Sequence, residues 1–287
     1  MKILRTPQEM TAWSTEQAVL NKTIGFVPTM GFFHDGHLAL MQRARDLADL
    51  VVVSLFVNPT QFGPQEDLAA YPRHFDHDQE LAASVGVDVL FAPTSEEMYP
   101  PGATTTVTVK GDLSNRLCGA SRPGHFAGVA TVVTKLFNIV RPDLAVFGKK
   151  DFQQLAIIRR MTLDLHFGVE IIGHPTVREK DGLAMSSRNA YLEDEDREAA
   201  LSLSRSLELA RTMVANGERD APSLTVAVKQ FILSFSGTAV DYISFVDQFT
   251  LAPVAEVNKD TVLALAVNIN DRVRLIDNGF VLQDKQG

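Results

Sequence analysis

Between residues 20 and about 175 the chain alternates short apolar runs rich in β-branched residues with amphipathic stretches of helical length. No other feature of the sequence narrows its fold so far. Runs at 23–27, 49–57, 87–91, 143–147 and 169–177 read as strands. The 49–57 run is almost continuously apolar, as a parallel strand buried on both faces is. The intervening stretches 38–50, 75–85, 128–140 and 151–166 read as helices; Leu40, Ala44 and Leu47 show the spacing, and Pro142 ends the third. This alternation predicts an α/β fold, a doubly wound parallel sheet with right-handed crossovers. Residues 104–109, TTTVTV, read as an extra and more exposed β segment.

After residue 178 the texture changes. A long charged helix is expected over 193–216 with Gly217 closing it, and a second over 222–235. Strand-like runs follow at 240–246, 261–267 and 272–276. Helices followed by strands suggest a second, smaller α+β domain. The expected division is therefore 1–177 and 178–287, without a low-complexity linker or internal repeat.

Composition excludes several classes of function. The formal net charge is −8, from 27 basic and 35 acidic residues, and the longest basic runs are pairs such as Lys149-Lys150. A protein that follows a nucleic-acid backbone carries a basic stripe, so no nucleic-acid partner is expected and an anionic ligand must be held by a few focused cations. No apolar run approaches the roughly 20 residues of a membrane span, so no membrane association is expected. The N-terminus loses its apolar character too early for a signal peptide, and the single cysteine, Cys118, closes no intrachain disulfide. The expected location is cytoplasmic.

Chemistry concentrates where predicted strands hand over to helices, the edge at which open parallel sheets bind ligands. The first handover is PTMGFFHDGH, residues 28–37. His34 and His37 bracket Gly36 at a helix N-terminus, where free N–H groups and the helix dipole favour phosphate. The plainer alternative has one imidazole capping the helix and the other solvated. H-x-G-H in this strand–turn–helix setting is, however, the signature of nucleotidyl-transferring α/β folds. Neither a P-loop nor a G-x-G-x-x-G fingerprint is present.

Gly148-Lys149-Lys150-Asp151 follows the 143–147 strand; Lys150 suits a phosphate, and Asp151 a helix cap or a ribose hydroxyl. Met185-Ser186-Ser187-Arg188-Asn189 offers hydroxyls and a guanidinium for the β and γ phosphates; alternatively Ser187 or Asn189 merely starts a helix. In the 56–63 stretch, Asn58 and Gln61 are neutral amides suited to reading hydroxyls and a carboxylate, with Gln154 joining from another loop. Asn58 before Pro59 also makes an ordinary turn. No Ser–His–Asp or Cys–His set is apparent. The groups present suit charge stabilisation on phosphates.

These residues resemble a specific family, the pantothenate synthetases, which are ATP-dependent pantoate–β-alanine ligases of the nucleotidyltransferase superfamily with a Rossmann-like fold. The likeness rests on PTMGFFHDGH, FVNPTQFG, DLAAYPR, RPGHFAGVATVVTKLFNIVRPDLAVFGKKDFQQ and MSSRN. It implies that ATP and pantoate form pantoyl adenylate and pyrophosphate, and that the amine of β-alanine then displaces AMP. By the same resemblance, His34, His37, Lys150, Ser186, Ser187 and Arg188 contact the phosphates. Gly148 and Asp151 lie by the ribose, and the backbone near Val177 and Met185 lies by the adenine. Gln61, Gln154 and Asn58 hold pantoate in a pocket lined by Met30 and Phe56, with Met30 also beside ATP. Magnesium travels on the triphosphate, with Asp78 as an outer contact. The smaller domain is implied as a lid and the assembly as a homodimer. The chain departs from the family at Phe32-Phe33 and Asp35, where Ala-Leu and Glu are usual, and at His74, where Thr is usual; His77 makes that loop richer still in histidine.

Overall fold

A computed structural model describes residues 1–63 and 66–282. In chain order the elements are β1 (Lys2–Leu4), α1 (Pro7–Val19), β2 (Ile24–Thr29), α2 (Asp35–Leu47), β3 (Leu50–Leu55), α3 (Phe75–Ser84) and β4 (Val89–Phe91). Three single turns follow, α4 (Ser95–Met98), α5 (Asp112–Asn115) and α6 (Cys118–Ser121), then α7 (His125–Val140), β5 (Leu144–Gly148), α8 (Phe152–Asp164) and β6 (Glu170–His174). The chain continues through α9 (Arg197–Ala215), α10 (Ala221–Leu233), β7 (Thr238–Asp247), β8 (Thr261–Ile269) and β9 (Val273–Phe280). Contacts divide these into two units. One comprises Met1–Lys110, Arg122–Lys149 and Gln154–Pro175; the other comprises Gly111–Ser121, Lys150–Gln153 and the residues from Thr176 onward.

The first unit holds a six-stranded parallel sheet in the order β1-β4-β3-β2-β5-β6. Val51, Val52, Val53 and Ser54 are all buried, as the apolar run predicts for a strand covered on both faces. Met41 and Ala44 of α2 pack with Val27, Val53 and Val146. The chain runs outward from β2 through β3 to β4 and then returns to the other side of β2 as β5. That reversal is the topological switch point, and in such sheets the crevice opens beyond the carboxyl ends of the strands that flank it. His34–His37 stands where the loop after β2 enters α2, and Gly148–Lys149 where β5 ends.

Two features of this unit differ from the sequence reading. Residues 104–109 form no strand: Val107 N–H donates to Thr131 Oγ1 on α7 at 2.9 Å, so the extended backbone bonds to a side chain and no ladder develops. Conversely, β1 and α1 precede the first expected strand. α1 buries only Met10, Trp13 and Ser14, a face too narrow to show as apolar periodicity; it starts on a capping box in which Thr6 and Glu9 bond each other's backbone N–H.

The second unit is built on an antiparallel sheet in the order β7-β8-β9. Leu263, Leu265 and Val267 of β8 pack with Leu203, Leu207 and Ala210 of α9 and with Leu224 and Val228 of α10. Gly217, at φ +102°, follows α9 as expected. Residues 111–121 are tied in by side chains. Ser121 Oγ donates to Asp241 at 2.8 Å, Cys118 Sγ lies 3.2 Å from Tyr242 Oη, and Arg274 donates to Asp241 at 2.7 Å. Cys118 is buried. Gln153 ties the start of α8 to the same segment, donating to the carbonyls of Leu113 and Arg116 and accepting from Cys118 N–H at 3.0 Å.

Candidate active site

In the first unit, β2 delivers the chain into a loop with two residues in the left-handed region, Gly31 at φ +85° and Phe32 at φ +52°. For a phenylalanine this conformation is strained, and a buried carboxylate holds it. Asp78 of α3 is fully buried and accepts from Phe32 N–H at 2.8 Å and from Phe33 N–H at 2.6 Å. Burial pushes its carboxyl above the ordinary range, and the two N–H bonds and the nearby His77 and His74 offset this only in part. Asp78 is thus a backbone anchor for the loop, and the outer magnesium contact expected of it is not its place here. Phe33 turns into the core and packs on the His37 ring at 5.5 Å.

His34 and His37 both cap α2. Gly36 N–H donates to His34 Nδ1 at 3.1 Å, and His34 N–H donates to His37 Nδ1 at 3.3 Å, a capping box built of two imidazoles. The rings lie 4.1 Å apart between centroids. Because each Nδ1 accepts, the neutral ring carries its proton on Nε2. The capping and ligand-binding readings are therefore compatible: one nitrogen holds the helix end, and in the neutral tautomer the other is the donor. His74, where the family usually has Thr, caps α3 in the same way, its Nδ1 accepting from His77 N–H at 3.2 Å.

After β3, Asn58 departs from expectation. It is 1% exposed, and its amide is engaged inside the protein. Its Nδ2 donates to Gln61 Oε1 and to Gly128 O, both at 3.1 Å, and its Oδ1 accepts from Thr60 Oγ1 and from Tyr99 Oη, both at 2.9 Å. Asn58 orients Gln61 instead of presenting its own amide to a ligand. Gln61 then directs its Nε2 at Met30 Sδ, 2.9 Å away, so two of the expected pocket residues meet. Phe56 is buried, with its ring 6.3 Å from that of Tyr99. Gln154 on α8 is half-buried in the same unit.

Several supports of this site are evident only in the structure. His125 Nδ1 lies 2.8 Å from Gln61 O, and Arg122 sits 3.1 Å from His125 Nε2 while making a two-pronged ion pair with Glu66 at 2.7 and 2.6 Å. Burial raises Glu66, and the bonds and charge of Arg122 outweigh it, so the carboxyl titrates below its ordinary value. Gly128 lets α7 touch the Gln61 turn: a Cβ there would fall 2.4 Å from Thr60 O and 2.7 Å from Gln61 Cα. Tyr99 carries no sequence pattern of its own, and Gly128 lies in the RPGHFAGVATVV run of the resemblance without a role assigned to it. RPGH at 122–125 opens that same run, and its polar residues at a helix start are the signal by which Arg122 and His125 could be found.

The second unit holds the other candidate residues. Lys150 lies in a 3-10 turn, Lys149–Asp151, with its carbonyl accepting from Asn278 Nδ2 at 2.7 Å; Asp151 is exposed. Val177 and Met185 face each other across a short hairpin, Met185 N–H donating to Val177 O at 2.9 Å. Arg178 pairs with Ala184 in the hairpin and forms a two-pronged bridge to Asp277 at 2.7 and 2.9 Å. Beyond it, Ser186 Oγ accepts from Arg188 N–H at 3.3 Å and opens the turn Ser187–Tyr191, so Ser186, and not Ser187 or Asn189 as expected, is the cap. Asn189 donates to Glu179 at 2.7 Å, tying the hairpin to the turn.

Among the described residues, no three His, Cys, Asp or Glu side chains converge as a metal site, and no helix is long and apolar enough to cross a membrane. The donor set fits a phosphate-bearing ligand better than a metal held by the protein alone. A parallel sheet with two imidazole donors at the switch-point helix defines a nucleotide-binding α/β enzyme. Comparison with known proteins makes this specific. The pantoate-beta-alanine ligase family model matches residues 2–280. The pantothenate synthetase of Heliobacterium modesticaldum is 57% identical over 281 residues, covering 98% of this chain and 99% of that protein. The crystal structure of pantothenate synthetase from Thermus thermophilus superposes with a TM-score of 0.93 at 45% identity, covering 99% of this chain and 100% of that one. The pantoate-beta-alanine ligase of Francisella tularensis, solved with beta-gamma ATP and beta-alanine, gives 0.81 at 34% identity, covering 99% of each chain. The chain belongs to the pantoate–β-alanine ligase family and is a ligase.

Proposed function

We propose that the protein condenses pantoate with β-alanine in two ATP-dependent half-reactions. A pantoate carboxylate oxygen attacks the α-phosphorus in line, forming pantoyl adenylate as pyrophosphate leaves. The neutral amine of β-alanine then attacks the acyl carbon, AMP leaves with the former carboxylate oxygen, and the amine's proton passes to solvent. Such displacements need positioning and charge stabilisation more than covalent help.

The observation that carries this reading is the imidazole pair at α2, with both Nδ1 atoms turned to the backbone, which makes Nε2 the donor nitrogen. Two imidazole donors at the positive end of a helix suit the oxygens of a triphosphate. Lys150, Ser186, Ser187 and Arg188 are assigned to the same phosphates, Gly148 and Asp151 to the ribose, and the backbone at Val177 and Met185 to the adenine. Gln61 and Gln154 are assigned to pantoate, with Met30 and Phe56 as pocket walls. Magnesium enters as part of the nucleotide substrate. Residues 178–287 are assigned the role of a lid that shields the adenylate from water, and the working assembly is a homodimer.

Pyrophosphate release with ATP and pantoate, with and without β-alanine, tests the scheme. Pantoate alone should support ATP–pyrophosphate exchange, and β-alanine should add AMP and an amide product. His37→Ala or Lys150→Ala should lower exchange by on the order of 10²–10³, the scale for removing one such stabilising donor. An unchanged rate in either variant, or exchange that requires β-alanine, would overturn the assignment.

A further inference from the structure

Strand β9 carries two adjacent buried polar residues, Asp277 at 2% and Asn278 at 9% exposure, opposite Leu265 and Ala264 of β8. Each bonds a different segment of the nucleotide site assigned above. Asp277 binds Arg178, whose Nη1 also donates to Gly182 O at 3.0 Å, so the carboxylate grips the hairpin that presents Val177 and Met185. Asn278 donates to the carbonyl of Lys150 at 2.7 Å. The two are coupled, since Asn278 N–H donates to Asp277 Oδ1 at 2.8 Å. Successive side chains on a strand leave by opposite faces, which lets one dipeptide serve two segments.

Stability alone gives little reason for this pair. A buried ion pair returns about what its desolvation costs, and apolar residues beside Leu265 and Ala264 would stabilise the strand as well or better. What the polar pair supplies is placement: it fixes one segment at each end of the proposed nucleotide site. We propose that Asp277 and Asn278 are positioning residues for ATP, Asp277 setting the adenine-side hairpin and Asn278 setting the phosphate-side lysine. The inference rests on the assignment of Val177, Met185 and Lys150 to the nucleotide.

The test compares Asp277→Asn, which keeps shape and removes charge, with Asn278→Ala, which removes the bond to Lys150. Each is assayed for pantoate-dependent ATP–pyrophosphate exchange, for AMP binding by calorimetry, for the KM of pantoate and for thermal midpoint. A misplacement approaching 1 Å costs up to about 10²-fold in rate, so Asn278→Ala should lower the exchange kcat by about 10-fold, with AMP affinity and the KM of pantoate within about 2-fold of the parent. Asp277→Asn should weaken AMP by about 5-fold or more, with the KM of pantoate again held. Folded variants with unchanged exchange and AMP binding would make the pair purely structural and overturn the proposal. So would an equal rise in the KM of pantoate, which marks general loosening, or the same pattern in both variants. Should Asn278→Ala fail to fold, the isosteric Asp277→Asn still decides through AMP affinity. Failure of the parent enzyme to catalyse pantoate-dependent exchange would refute the functional assignment first, and the positioning role with it.

Discussion

Gly128→Ala should separate activity from stability in this enzyme. The added Cβ would lie 2.4 Å from Thr60 O, 2.6 Å from Thr60 C and 2.7 Å from Gln61 Cα, all backbone atoms with no rotamer to yield. A carbon and a carbonyl oxygen meet comfortably at about 3.3 Å, so the Gln61 turn must retreat by about 0.9 Å. That movement also stretches the bond from Asn58 Nδ2 to Gly128 O, and with it the support of the Gln61 amide. Alanine favours a helix interior over glycine by about 1 kcal/mol, whereas overpacking costs about 1–3 kcal/mol. The net loss of stability is therefore small, between about 0 and 2 kcal/mol. A retreat near 1 Å by a group that positions substrate can cost about 10²-fold. The expected result is a folded protein, melting within about 5 °C of the parent, whose kcat/KM for pantoate falls by about 10²-fold while the KM for ATP holds. Denaturant unfolding together with exchange kinetics at varied pantoate checks both halves. Full activity with unchanged pantoate kinetics would show that α7 or the turn relaxes freely and that Gln61 is not fixed by this contact.

Asn58→Ala should raise the KM for pantoate by about 10-fold without direct contact to it, because Gln61 loses the donor that orients its amide; steady-state kinetics at saturating ATP reads this, and an unchanged KM would remove Asn58 from the support of the pocket. Asp78→Asn keeps shape but sets an amide donor against the N–H of Phe32 or Phe33, at about 1–3 kcal/mol. Because burial holds the folded pKa of Asp78 above its ordinary 3.8, the group favours folding most below that value, and its contribution declines as pH rises through the raised pKa. The deficit of Asp78→Asn should thus be largest in acid and narrow towards neutral pH, which urea unfolding at a series of pH values measures; a deficit that widens with pH contradicts the assignment.

Much of the fold was legible because parallel strands buried on both faces leave an unmistakable run such as Leu50–Leu55, with helical spacing on either side. The elements that escaped depend on weak or distant partners. α1 buries a narrow face, and its legible mark was the Thr6–Glu9 box. Residues 104–109 have the composition of a strand, but Thr131, more than 20 residues away, takes the hydrogen bond a ladder needs. At the site, residues whose chemistry is displayed in a motif, such as His34, His37 and Gln61, were open to sequence reasoning. Asn58 looks like a ligand in the sequence because an amide in a loop is the same residue whether it faces substrate or a neighbouring glutamine. Asp277 and Asn278 were not legible at all, since nothing in β9 announces that its polar side chains reach Arg178 and Lys150.

The backbone passes between the two units five times, after residues 110, 121, 149, 153 and 175. A protease that nicks the chain between Pro175 and Thr176 would therefore part a peptide bond but not the hydrogen bonds that hold residues 111–121 and Lys150 to the second unit. Residues 111–121 would remain bonded to Asp241, and the carbonyl of Lys150 to Asn278, so both halves would still migrate together under native conditions. The same interlacing disfavours exchange of the carboxyl-terminal unit between copies, because a swapped unit would have to surrender those bonds on two separate stretches of chain at once.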